Sequence, residues 1–231
     1  MMHDSTSEIP KTIDNVSCRL GDDIASHLVT EASVCVASTG FSLSAFEHLA
    51  EELERVKAVR FVFTAPAFLP QTAVKEHIKK ERREFFIPGV GEASLLGTEY
   101  EIRLRNRLMQ KAVAKRCGEW IRKGNVQFAS VAEFGQLQDM FIVETEAGSV
   151  VYLPFSGFTA DTLGYERGQY SSAISTRMGG AYAAPFKTRF SEVWAGGGLR
   201  DVTEQLAEHI SNVYRDNEPE LVYFLVLKHL F

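Results

Sequence analysis

EFGQLQDMFIVETEAGSVVYLPFSGFTADTLG, residues 133–164, decides the fold. It holds two apolar runs, DMFIVET and SVVYLPF, of a length and β-branched content that predict strands, with Ala147-Gly148 as the tight turn between them. The strand ends carry polar residues that lack a nucleophile: Gln136 and Gln138 at the mouth of the first, then Ser156, Gly157 and Thr159 after the second. An active site, the remains of one and a plain β-hairpin are all open readings of this stretch.

Working outward, NVQFASV predicts a third strand just before the pair. Towards the N-terminus, SVCVASTGF (33–41) and AVRFVFTA (58–65) predict two more, separated by a helix that Ser42 or Ser44 caps and that runs through Val56. Phe46, Leu49, Ala50 and Leu53 give that helix one apolar face. A β-α-β unit of this length implies parallel neighbours joined by a crossover. Leu20, Ile24, Leu28 and Val29 predict a helix over 19–31, and Leu104, Leu108, Ala112, Cys117, Trp120 and Ile121 a long one from about Glu99 to Lys123. Beyond TADTLGYERGQYSS the pattern turns helical in FKTRFSEVWA, LRDVTEQLAEHISNVY and PELVYFLVLKHLF. The expected organisation is a polar, frayed N-terminus over 1–15, an α/β domain over 16–183 and a helical extension over 184–231. The extension ends on HLF in mid-helix, which implies further polypeptide or a partner against its apolar side.

Composition excludes several classes. The chain has 231 residues, 45% hydrophobic and 24% charged, so it carries a core and is not a disordered tract. Its net charge of −5 gives no overall attraction to nucleic acid or anionic membrane. No signal-peptide pattern opens it and no apolar run reaches a membrane span, so a cytoplasmic protein without membrane contact is expected. Cys18, Cys35 and Cys117 are scattered and read as free thiols. There is no zinc spacing, no HExxH, no GxSxG elbow and no complete phosphate loop, since AGGGLRD lacks the Lys and Ser/Thr. No metal or cofactor is expected.

The order β-α-β, long helix and three strands, with GQLQDMFIVETEAGSVVYLPFSGFTADTLGYERG, resembles a phospholipase D-type domain. FIPGVGEASLLGTEYEIRLRNRLMQKAVAKRCGEWI, LPFSGFTADTLGYERG and NEPELVYFLVLKHLF resemble, more specifically, the N-terminal region of large bacterial superfamily 2 helicases of the chromatin-remodeller type. In those proteins a degenerate phospholipase D-like module precedes the ATPase motor. The resemblance implies an α/β, phospholipase D-like mixed β-sheet flanked by helices, followed by a helical extension. It places Gln136 and Gln138 where the His-x-Lys pair belongs, and Ser156, Gly157 and Thr159 at the Ser/Asn loop, with Glu166 in the LGYERG segment. Phosphodiester chemistry of this type needs an imidazole nucleophile and a Lys charge, and glutamine amides supply neither. His77-Ile78-Lys79, followed by Glu84, matches the literal spacing but lies in a charge-dense helical run and reads as a solvated face.

The implied function is a non-catalytic accessory module of a DNA helicase or translocase, possessing no ATP site of its own, in restriction or phage defence. DNA through the parent protein and a second copy of the chain are the implied partners. A divergent phosphodiesterase or nuclease and a structural docking subunit are the alternatives. Charge placement adds a candidate contact: residues 71–125 hold thirteen Lys/Arg against seven Asp/Glu, and Arg103, Arg107, Lys111 and Lys115, extended by Arg122, recur along the long helix. The same stripe reads equally well as a solvated helix face, because Glu99, Glu101 and Glu119 dilute it.

Overall fold

The computed structural model describes residues 9–67, 110–133 and 137–215. They form a mixed α/β fold on one open eight-stranded sheet. In chain order the elements are β1 (Lys11–Ile13), α1 (Leu20–His27), β2 (Ser33–Ser38), α2 (Leu43–Arg55), β3 (Ala58–Phe63), α3 (Gln110–Ile121) and β4 (Val126–Val131). There follow β5 (Met140–Thr145), β6 (Gly148–Leu153), β7 (Ser175–Gly179), α4 (Ala184–Ala195), β8 (Leu199–Asp201) and α5 (Thr203–Arg215).

The sheet order is β1-β7-β6-β5-β2-β3-β4-β8. β2, β3 and β4 are parallel and every other pairing is antiparallel. Central strands covered on both faces must be apolar on both, which is why VCVA and FVF read as continuous runs rather than alternations. α2 starts where the Ser42 hydroxyl accepts the Ala45 N–H at 3.2 Å. It then buries Phe46, Leu49, Ala50 and Leu53 at helical spacing. α3 packs beside it, and Trp120 uses its indole N–H on Leu53 O at 3.2 Å, so a large ring is buried with its polar atom satisfied.

The larger core lies between one sheet face and α1, α2, α3 and α5. Its centre is aromatic: Phe41, Phe61, Phe128 and Phe158 lie with ring centroids 4.9–6.2 Å apart, stacked or edge-on. The second core lies between the opposite face, with Cys35, Val62, Ile142 and Val151, and α4 through Phe190.

Three strands were not expected from the sequence. Lys11–Ile13 belongs to the segment expected to fray, yet Ile13 is 1% exposed and the three residues pair with β7. β7 and β8 are short and polar, STRMG and LRD, and take their strand form from neighbours rather than from their own composition. Residues 184–215 of the expected helical extension pack onto this same sheet: β8 pairs with β4, and Leu206, Ala207 and Ile210 of α5 join the larger core. Residues 216–231, which include the apolar tail, lie outside the described residues, as do the His77-Ile78-Lys79 run and the first part of the expected long helix.

Candidate functional site

In an open α/β sheet the carboxyl ends of the parallel strands are where side chains converge on a ligand. At the end of β2, parallel β3 lies on one side and antiparallel β5 on the other. The register Ser38↔Phe63 sets the next residues, Thr39 and Thr64, at the ends of adjacent strands. Asp139, immediately before β5, reaches both. Its Oδ1 accepts the Thr64 hydroxyl at 2.6 Å, and its Oδ2 accepts the Thr39 N–H at 3.0 Å and the Thr39 hydroxyl at 3.1 Å. One carboxylate thus fastens the entry of β5 to the ends of β2 and β3.

The loop after β6 closes the other side. Phe158 N–H donates to Ser38 Oγ at 2.9 Å, and Ser42 N–H donates to Phe158 O at 3.0 Å. Gly157 passes over this point with φ +119, a backbone conformation that glycine adopts without steric cost, and a Cβ there would lie 3.7 Å from Ser38 Oγ and 3.9 Å from Thr39 Oγ1.

The residues named from the sequence separate into three places. Gln138, exposed, directly precedes Asp139, and half-buried Ser156 directly precedes Gly157, so both adjoin the rim that Asp139 and Gly157 mark. Thr159 turns inward instead, 7% exposed, and donates to Asp161, which also accepts the N–H groups of Thr162 and Tyr170 at 3.0 and 3.2 Å. Glu166 lies at the N-terminus of α2, where its Oε1 accepts the Ser44 hydroxyl at 2.9 Å; its Oε2 is buried without a partner. A carboxylate there opposes the positive end of the helix. Gln136 lies outside the described residues. The sequence reasoning missed Thr39, Thr64 and Asp139. Their signal was a hydroxyl one residue past each of two parallel strands, with an acid heading the strand that pairs with the first.

At this rim the described side chains are hydroxyls, amides and carboxylates. They can accept and donate hydrogen bonds, but they offer no imidazole, thiol or ammonium. Among the described residues no three His, Cys, Asp or Glu come together as a metal-holding group.

The described part of the basic stripe is matched by acids. Lys115 faces Glu119 at 4.0 Å, and Arg122 meets Glu204 of α5 at 3.1 Å. Arg116, off the stripe, meets Glu54 of α2 at 2.7 Å; this hydrogen bond and charge hold the Glu54 carboxyl below its ordinary range. Arg103 and Arg107 lie outside the described residues; Lys111 is placed in α3 by its backbone.

A second ionisable cluster lies away from the rim. Asp23 of α1, 6% exposed, accepts Lys11 Nζ at 2.7 Å, Arg177 Nη1 at 3.0 Å and the Tyr152 hydroxyl at 3.1 Å. It joins α1 to β1, β7 and β6. Burial works against its ionisation, but the Lys11 hydrogen bond, the Arg177 charge and the Tyr152 hydrogen bond outweigh it and hold its pKa below the ordinary value. Burial, then the Asp23 charge, push Tyr152 up and keep it a neutral donor. His27 Nδ1 lies 3.1 Å from the Tyr152 hydroxyl and 2.9 Å from Asp23 O. With Tyr152 fully buried, this cluster is a clamp rather than a surface.

Among the described residues no helix is long and apolar enough to cross a membrane. No protein-family model matches the chain, and no curated protein matches it.

Proposed function

We propose that the chain is a non-catalytic accessory module of a DNA helicase or translocase, aiding nucleic-acid engagement or self-association of the parent protein. The observation that carries this reading is the chemistry of the rim. The resemblance sets Gln136 and Gln138 where such a phosphodiesterase holds an imidazole and an ammonium; Gln136 lies outside the described residues, and beside Gln138 the Asp139 carboxylate is engaged on Thr39 and Thr64. Hydroxyls and amides bond a phosphate but neither attack it nor neutralise its charge. ATP binding belongs, on this proposal, to the parent motor, and restriction or phage defence is its setting.

Contact with DNA runs through the basic stripe. Lys115 and Arg122 already face carboxylates, so the remaining charge is that of Arg103, Arg107 and Lys111. Backbone contact of this kind carries no base recognition, so binding is weak, non-specific and salt-dependent, each neutralised phosphate adding roughly 0.7–0.9 to the salt slope. A fluorescence-anisotropy titration of the whole chain with duplex and single-stranded DNA at low salt tests it. The expected result is binding that the double reversal Arg107→Glu, Lys111→Glu abolishes while leaving thermal unfolding unchanged. No binding at low salt, or undiminished binding by the reversal, removes the DNA-contact role.

A further inference from the structure

The second sheet face is covered, among the described residues, by one helix, α4. It crosses from β5, where Lys187 pairs with Glu144 at 2.7 Å, to β3, where the Arg60 guanidinium lies 5.6 Å from the centre of the Trp194 ring. Cys35 of β2 sits beneath this crossing. Its register partners are Arg60 and Ile142, and its thiol lies 3.7 Å from Glu144 Oε1.

α4 is attached more lightly than the helices of the other face. Of its 12 residues only Phe190 is fully buried, whereas α2 buries seven of 13. Ala183 at its N-cap gives no side-chain acceptor, its first turn holds no carboxylate and its last no cation, so neither end is matched to the helix dipole. Glycines bracket it: Gly180, just after β7, before it, and Gly196, Gly197 and Gly198 after it. Gly180 at φ +54 and Gly197 at φ +72 occupy left-handed backbone, where the absence of a Cβ makes rotation inexpensive.

We propose that α4 is a hinged cover: it opens as a unit about these two glycine pivots and uncovers the apolar sheet face, while the four helices opposite stay packed. Such an opening is a sub-global event, with a lower free energy than complete unfolding. It gives the domain a closed form and an open form that differ in one exposed apolar surface.

Two buried cysteines make the test internal. Cys35 lies under α4, and Cys117 lies fully buried in the opposite core. The whole chain, carrying Cys18→Ser to silence the half-exposed thiol, is labelled with an aromatic disulfide under native conditions. Each rate is divided by that of the same thiol in denaturant. Cys35 is expected to label at least about a hundredfold faster than Cys117, because only the latter waits for global unfolding. Leu49→Ala, or the milder Ile24→Val if that variant does not fold, weakens the opposite core; it is expected to speed Cys117 and leave Cys35 unchanged. Equal protection of the two thiols in the parent chain overturns the proposal, as does a core variant that speeds both by the same factor.

Discussion

Asp139 gathers three hydrogen bonds from Thr39 and Thr64, and Thr64 is 6% exposed, so removing the acceptor strands a buried hydroxyl. Asp139→Ala should cost about 1–3 kcal/mol, the desolvation of a donor left without a partner. Urea denaturation measures it, and a change within error of zero would show that water replaces the carboxylate. A steric counterpart stands at Gly168, where a Cβ would lie 2.4 Å from Asp161 Oδ2. Gly168→Ala should therefore destabilise by about 1–3 kcal/mol through displacement of the buried Asp161 network, and wild-type stability in the same assay would refute this. These residues also mark how far the site was legible. Gln138 and Ser156 lie next in sequence to Asp139 and Gly157 at the rim, since strand ends and the turn after β6 are visible in local pattern. Thr159 and Glu166 do not, since which way a loop residue turns depends on partners such as Asp161 and Ser44, and these were set by packing. Asp139 was overlooked because its partners lie 75 and 100 residues away in sequence.

At the scale of elements, strong periodicity was enough. α1, α2 and the strands β2 to β6 appear where apolar spacing placed them, and α2 begins at the cap its sequence offers. β1, β7 and β8 escaped because three to five residues hold too few turns of any pattern, and their form comes from edge pairing in the assembled sheet. β1 depends in addition on charge. Asp23 titrates below its unfolded value, so its ionised form contributes stability above the unfolded carboxyl pKa, and that contribution disappears as pH falls through the depressed folded pKa. Below that point Lys11 and Arg177 are left without their counter-charge. Hydrogen exchange of residues 11–13 and 20–27 should therefore accelerate at acid pH, below the ordinary Asp range, before the β2–β3 strands lose protection. Asp23→Asn should bring that acceleration to neutral pH. Exchange in Asp23→Asn equal to wild type at pH 7 would contradict the clamp.

For the whole molecule, strand direction changes beside the parallel strands at β2–β5 and again at β4–β8, and the described side chains at the β2 end are hydroxyls, an amide and a carboxylate. The function proposed rests on that, joined to a resemblance read from sequence and a basic stripe whose described cations, Lys115 and Arg122, are matched by acids. Charge matching of this kind is invisible to a count along one helix, because Glu204 comes from α5 and meets Arg122 only after folding. The most direct measurement of the central claim is hydrolysis of a generic phosphodiester and of single- and double-stranded DNA by the whole chain. Metal-free buffer and buffers with magnesium or manganese cover the plausible conditions. The account predicts no turnover above the protein-free blank in any of them. Turnover that Asp139→Asn or His77→Ala abolishes, with the fold intact, would contradict it and make this domain an enzyme.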